Sequence, residues 1–155
     1  MLTCLPLSLC SWDFRIDGLA SGPASITLDF FNEQGTITID GNECAVRKHG
    51  PWSGHWTVEY HGDVNAEARK PNAMFRSFDL QVGAASLTVK AQSPLTRCYD
   101  ILSDLQVVGT IAPAHPLTRR AFVDCSPSVP ELAQLFAFWL AVVTWRRAAR
   151  NNNSG

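Results

Sequence analysis

A closed antiparallel β-barrel of about twelve strands, mainly β and enclosing one hydrophobic C-terminal helix, is the fold that the 155-residue sequence predicts. Three observations predict it. Strand-like segments follow one another from Trp12 to Asp124 at the roughly 8–12-residue spacing of sandwiches and barrels. A single helical segment, "PELAQLFAFWLAVVTWRRAAR" from Pro130 to Arg150, is apolar on every side, with an unbroken apolar run from Leu135 to Val143. Only 17% of the residues are charged while 46% are hydrophobic, against roughly 25% charged in an average globular protein, so the chain must hide much of itself.

The strands can be justified in order. "MLTCLPLSLCSWDFRID" reads as an N-terminal lead-in, with barrel strands expected over 12–125. "ASITLDFF" and "TITID" come next, the latter alternating Thr36, Thr38 and Asp40 with Ile37 and Ile39, a period of two. Asp40-Gly41 predicts a hairpin, because both residues tolerate the positive φ of a type I′ turn. "GNECAVRK" follows, and "HWTVEY" sets Trp56, Val58 and Tyr60 on one face against His55, Thr57 and Glu59. "DVNAEARK", "MFRSFDLQV", "ASLTVK", "LTRCYDIL", "LQVVGTI" and "LTRRAFVD" complete the series, broken at Pro71-Asn72, Gly83, Ser93-Pro94, Ser103-Asp104 and Pro113 to Pro116. No linker divides the chain and no short repeat is evident, so residues 1–155 form one domain.

The helix is expected over 128–149, with 150–155 a disordered tail. Ser128 and Glu131 fit a capping box, the hydroxyl and carboxylate satisfying N–H groups left free in the first turn. Pro130 suits that turn, and Arg146, Arg147 and Arg150 suit the negative end of the helix dipole. A helix apolar all round lies either in protein or in lipid. From Leu132 to Trp145 it rises roughly 21 Å, short of the ~30 Å of bilayer hydrocarbon, so no stable transmembrane span is expected. A sheet of a dozen strands must close to lose its edges, and its interior is then too wide for side chains alone to fill. Leu135, Phe136, Phe138, Trp139, Leu140, Val142 and Val143 are the predicted core of that interior. The alternative is a tail-anchored protein with a β-rich domain outside the membrane.

Composition narrows the function. A net charge of −1 gives no reason to expect nucleic acid as a partner. The five cysteines are odd in number, without a C-x-x-C pair, which suits free thiols in a reducing, cytoplasmic setting. The first residues lack the basic region and cleavage site of a signal peptide.

Catalytic and metal motifs are weak. His49, His55 and His61 recur every six residues, but no Cys or carboxylate completes a zinc motif, and Gly50-Pro51 interrupts them. "GPWSG" differs from G-x-S-x-G and lacks the strand–helix context of a nucleophile elbow. A hydrolase built on Ser53 with His55 or His115 stays an alternative. No acid pair, phosphate loop or cofactor motif is present, and neither cofactor nor metal is expected. Basic doublets are the one suggestive pattern. Arg69, Lys70, Arg119 and Arg120 are the candidate ligands of an anionic headgroup, each doublet offering one charge to a given face of a strand; Arg47-Lys48 and Arg146-Arg147 are the other two.

Taken in order, the strand beginning at Trp12, "GTITIDGNECAV", "GHWTVE", "AEARKPNAMFRSFDLQ", "VVGTI", "PLTRRAFVD" and "FAFWLAVVTWRR" resemble the tubby C-terminal-like superfamily, which includes phospholipid scramblases and LURP-one-related proteins. The resemblance spans nearly the whole chain and implies a twelve-stranded barrel around a buried C-terminal helix. Tubby domains bind phosphoinositide headgroups through basic surface residues, and scramblases are associated with lipid movement and calcium. The scramblases' palmitoylated cysteine run and an acidic calcium loop are not found in this sequence. The expectation is therefore a non-enzymatic binding or scaffold barrel, recognising anionic phospholipid or a protein partner at a membrane surface.

Overall fold

Twelve antiparallel strands close into one barrel, and the thirteenth element is a helix within it. The computed structural model describes all 155 residues, Met1–Gly155. In chain order the strands are β1 (Leu2–Pro6), β2 (Phe14–Asp17), β3 (Ala24–Leu28), β4 (Gly35–Ile39), β5 (Asn42–Lys48), β6 (His55–Tyr60), β7 (Asp63–Arg69), β8 (Ser77–Val82), β9 (Ala85–Ala91), β10 (Tyr99–Ser103), β11 (Gln106–Pro113) and β12 (Ala121–Cys125). Each pairs with its sequence neighbour, and β1 closes the ring on β12 through Leu2↔Val123, Thr3↔Phe122 and Cys4↔Ala121. The first strand thus lies well before Trp12. The Leu2, Cys4 alternation with Thr3 and Leu5 puts Leu2 and Cys4 in the core, and the barrel cannot close without them.

The strands alternate inward and outward as their sequences dictate. On β5, Cys44 and Val46 face in while Glu43, Ala45 and Arg47 face out. On β6, Trp56 and Val58 are buried as their spacing requires, and Thr57 on the opposite face is also covered, because His49 Nε2 hydrogen-bonds its hydroxyl at 2.7 Å.

Helix α1 (Glu131–Asn153) runs along the interior. Leu135, Phe136, Phe138, Trp139, Leu140, Val142 and Val143 are fully buried. Phe138 meets Phe14 of β2 edge-on, with ring centroids 5.1 Å apart. The polar handles of the buried side chains all find partners: Trp139 Nε1 donates to the Thr27 carbonyl at 3.0 Å, Trp145 Nε1 to the Arg97 carbonyl at 3.1 Å, and the Thr144 hydroxyl to Ala141 at 2.8 Å while meeting the Tyr99 hydroxyl. No helix is long and apolar enough to cross a membrane.

Both ends of the helix depart from expectation. Pro130 occupies the N-cap position and no side chain caps it. The Ser128 hydroxyl turns back to Ser126 Oγ at 3.0 Å. Glu131 instead reaches across to β2–β3, accepting from the Ala20 N–H at 2.5 Å and from the Ser21 hydroxyl. The carboxylate can reach a tertiary partner, and tertiary contact overrides the local motif. At the other end the helix continues to Asn153, so only Ser154 and Gly155 lie beyond it. Arg150 accounts for the extra turn by donating to the Phe30 carbonyl at 2.6 Å.

The connections divide by pole. At one pole β4–β5, β6–β7, β8–β9 and β10–β11 are joined by tight turns. Asp40-Gly41 has φ of 48° and 78°, and His61-Gly62 has 52° and 88°, the paired positive angles of a type I′ turn. At the other pole six longer loops span residues 7–13, 29–34, 49–54, 70–76, 92–98 and 114–120. The C-terminal end of α1 emerges among them, since Arg146 donates to the Asp29 and Asn32 carbonyls.

Candidate functional site

The loop pole holds nine of the thirteen large exposed apolar side chains, the others being Met1, Val64, Leu105 and Val107. Every one of its six loops presents a large apolar side chain to solvent. The most exposed in each are Leu9, Phe31, Trp52, Met74, Leu95 and Leu117, between 88% and 98% accessible. Leu7, Phe30 and Phe75 add further apolar surface beside them. Isolated apolar residues on a surface are ordinary, but six loops at one pole that all carry one form a crown.

Charge is polarised the same way. The six loops and the last turns of α1 hold eight basic residues (Lys70, Arg76, Arg97, Arg119, Arg120, Arg146, Arg147, Arg150) and three acidic ones (Asp13, Asp29, Glu33), a net +5. The remaining five basic and eleven acidic residues leave −6 elsewhere, which restores the overall −1. A nearly neutral protein therefore has one strongly positive end.

Two basic clefts lie below the crown. In the first, of about 590 Å³, Lys48, Lys70 and Arg147 surround Glu33 beside Trp52 and Trp56. Glu33 is held by Lys48 Nζ at 2.5 Å and by Arg147. Burial alone would raise the Glu33 pKa, but hydrogen bonds from Arg147 and Lys48, with their charges, bring it down to about 2. Lys70 has no carboxylate partner, and burial followed by the charge of Arg147 pushes its pKa down.

The second cleft, of about 430 Å³, contains Arg76, Arg97 and Arg119 with Trp12, Trp145, Thr96 and Asn152. These arginines share a construction. Each crosses to the next long loop and donates to its main-chain oxygens: Arg76 to Pro94 and Thr96, Arg97 to Pro116 and Thr118, Arg119 to Ser8 and Ser11. Arg146 of α1 does the same to Asp29 and Asn32. The guanidinium groups of Arg97 and Arg119 lie over Trp145 and Trp12, 4.6 and 5.1 Å from the ring centroids.

The four arginines and lysines chosen from the sequence all reach this pole, but not one site. Lys70 lines the first cleft and Arg119 the second. Arg69, the last residue of β7, is exposed and paired with Glu67 at 2.5 Å. Arg120 is exposed over Phe122. Arg76 and Arg97 were not among those candidates, though a signal for Arg97 exists: against the expectation of no short repeat, Pro-Leu-Thr-Arg occurs twice, at Pro94–Arg97 and Pro116–Arg119. That repeat builds two equivalent loops, the Arg120 and Cys98 N–H groups both bonding a threonine hydroxyl two residues back at 3.1 Å.

The histidines divide between poles. His49 and His55 stack at 4.4 Å and His55 Nε2 faces Glu67 at 3.0 Å, while His61 sits at a tight turn against Tyr60. Burial, then the charges of Arg69 and His49, push the His55 pKa down. The Ser53 hydroxyl donates to the Gly50 carbonyl at 3.0 Å, and no hydrogen bond joins it to His55 or His115.

The fold and this pole define a helix-filled β-barrel with an apolar, basic face at one end. Comparison of the chain with protein-family models, with curated proteins and with solved structures gives no match.

Proposed function

We propose that the protein is a non-enzymatic binding barrel that docks peripherally on anionic phospholipid surfaces through its loop pole. The observation that carries this reading is the coincidence, at one pole, of an exposed apolar side chain on each of six loops with a local charge of +5. A protein partner would be expected to meet one contiguous apolar patch, whereas tips distributed round a ring suit a planar fluid surface. Interfacial binding of this kind adds buried apolar area to attraction by anionic headgroups, and basic groups near such a surface are worth about 1 kcal/mol each. Arg146, bonded to the loop carbonyls, couples the enclosed helix to the face that would meet the lipid. The same twelve strands and enclosed helix support membership of the tubby C-terminal-like superfamily, and we infer a distant relationship to it.

Co-sedimentation of the full chain with phosphatidylcholine vesicles, with and without phosphatidylserine, tests the function. Binding only when phosphatidylserine is present, weakened by salt, is expected. Absence of binding to anionic vesicles at low salt would overturn it.

A further inference from the structure

We propose that the cleft lined by Arg76, Arg97 and Arg119 is a phosphate-binding site. Three guanidinium groups share a concavity of about 430 Å³ whose lining contains no carboxylate, and none of the three takes part in a salt bridge. Cations left unneutralised at close range repel one another. Burial, with a contribution from the charge of Arg119, accordingly pushes the Arg97 pKa down. An entering anion would relieve that repulsion.

The donors are both positioned and vacant. Arg76 is fixed by the Thr96 carbonyl at 2.8 Å and the Tyr99 hydroxyl at 2.7 Å, Arg97 by the Thr118 carbonyl at 2.9 Å, and Arg119 by the Ser8 carbonyl at 2.6 Å. Both bonds of Arg97 leave from Nη1, so its Nε and Nη2 are unused; Arg76 and Arg119 each keep an unused Nε–H. A guanidinium edge matches two oxygens of a phosphate, and immobilised side chains lose little entropy on binding. Three such groups suit a tetrahedral dianion with several oxygens better than a flat carboxylate with two. Nucleobases fit poorly, since the ring faces that would stack them already carry Arg97 and Arg119.

Phosphate of this description could belong to a lipid headgroup, which rests on the docking reading above, or to a soluble ester. Two arms separate them. In the first, Arg Nε–H resonances of the wild-type full chain are followed by NMR while inorganic phosphate or glycerol 3-phosphate is added. Saturable shifts centred on Arg97 and Arg119 are expected. In the second, vesicles containing phosphatidic acid are compared with phosphatidylserine vesicles of matched surface charge. At least about fivefold tighter binding to phosphatidic acid is expected, and Arg97→Lys/Arg119→Lys, which keeps the charge but removes the guanidinium forks, should abolish the difference between the two vesicles. A phosphate response without vesicle binding would assign the site to a soluble ester and overturn the docking reading. Equal binding to both vesicles with no resonance shift would overturn the phosphate site and leave docking intact. Should the double variant unfold, the wild-type shifts decide.

Discussion

The indole N–H of Trp139, on the buried helix, donates to the main-chain oxygen of Thr27 on β3, 3.0 Å away. This bond ties the helix directly to the sheet around it. Trp139→Phe removes the donor and leaves a smaller ring in a fully buried position. It should cost about 1–3 kcal/mol for the lost bond, plus a term for the space left behind. Chemical denaturation of the two proteins measures the difference. A change under about 0.5 kcal/mol would mean that the indole is not held there.

Phe138 separates an enclosed helix from an appended one. Its ring lies between Phe14 and Trp145, at centroid distances of 5.1 and 5.9 Å, with no exposure. Phe138→Asp would bury an unpaired carboxylate, a cost of several kcal/mol, and should abolish cooperative folding. Truncation after Ser126 should likewise leave an aggregating fragment, because the barrel loses the side chains that fill it. A soluble fragment with a sharp thermal transition would refute the enclosed-helix account.

Acid should weaken the loop pole through Glu33. Its carboxyl titrates near 4.5 when free and at about 2 in the folded chain, so the ionised form stabilises the fold above pH 4.5. That contribution disappears as pH falls from 4.5 towards 2. Discounted for the partial exposure of Arg147, it is about 2 kcal/mol. Glu33→Gln should be less stable than wild type at pH 7, and the gap should close near pH 2. A gap independent of pH would remove the carboxylate from the account.

Periodicity and length made the barrel and its filling helix legible, because an all-apolar helix and a dozen short strands have few joint solutions. The Asp40-Gly41 turn was legible for a similar local reason, since both residues tolerate a positive φ. What escaped was tertiary. β1 contains Pro6 and few β-branched residues, and only pairing with β12 and β2 makes Leu2–Pro6 a strand. The doublets chosen as candidates all lie at the loop pole, yet spacing along the chain could not show that Arg119 joins Arg76 and Arg97 rather than Lys70. That assembly depends on loops consecutive around the barrel rim, and the repeated Pro-Leu-Thr-Arg was its only trace in the sequence.

The helix start yields a pair of opposite outcomes. Ser128→Ala should change stability by no more than about 0.5 kcal/mol, since the hydroxyl bonds only Ser126 in the loop. Glu131→Ala should cost about 1 kcal/mol, because its carboxylate satisfies the Ala20 and Ser21 N–H groups. The hydrogen bond from the Ser21 hydroxyl also keeps the Glu131 pKa down. Reversed magnitudes in denaturant titrations would restore the local capping box.

Trp52 reports on docking without disturbing the core. It is 97% exposed on the β5–β6 loop, while Trp56, Trp139 and Trp145 are buried. Anionic vesicles should therefore shift tryptophan emission to the blue, and Trp52→Phe should remove most of the shift while keeping much of the binding. Phe31→Ser, on a different loop and 91% exposed, takes an apolar ring out of the crown and should weaken vesicle binding by about tenfold, roughly 1.4 kcal/mol, with no loss of thermal stability. Raising salt should weaken wild type and Phe31→Ser in the same proportion, because the substitution removes apolar area and leaves the basic groups in place. Unaltered binding by Phe31→Ser, together with an emission maximum indifferent to vesicles, would show that the crown does not enter lipid.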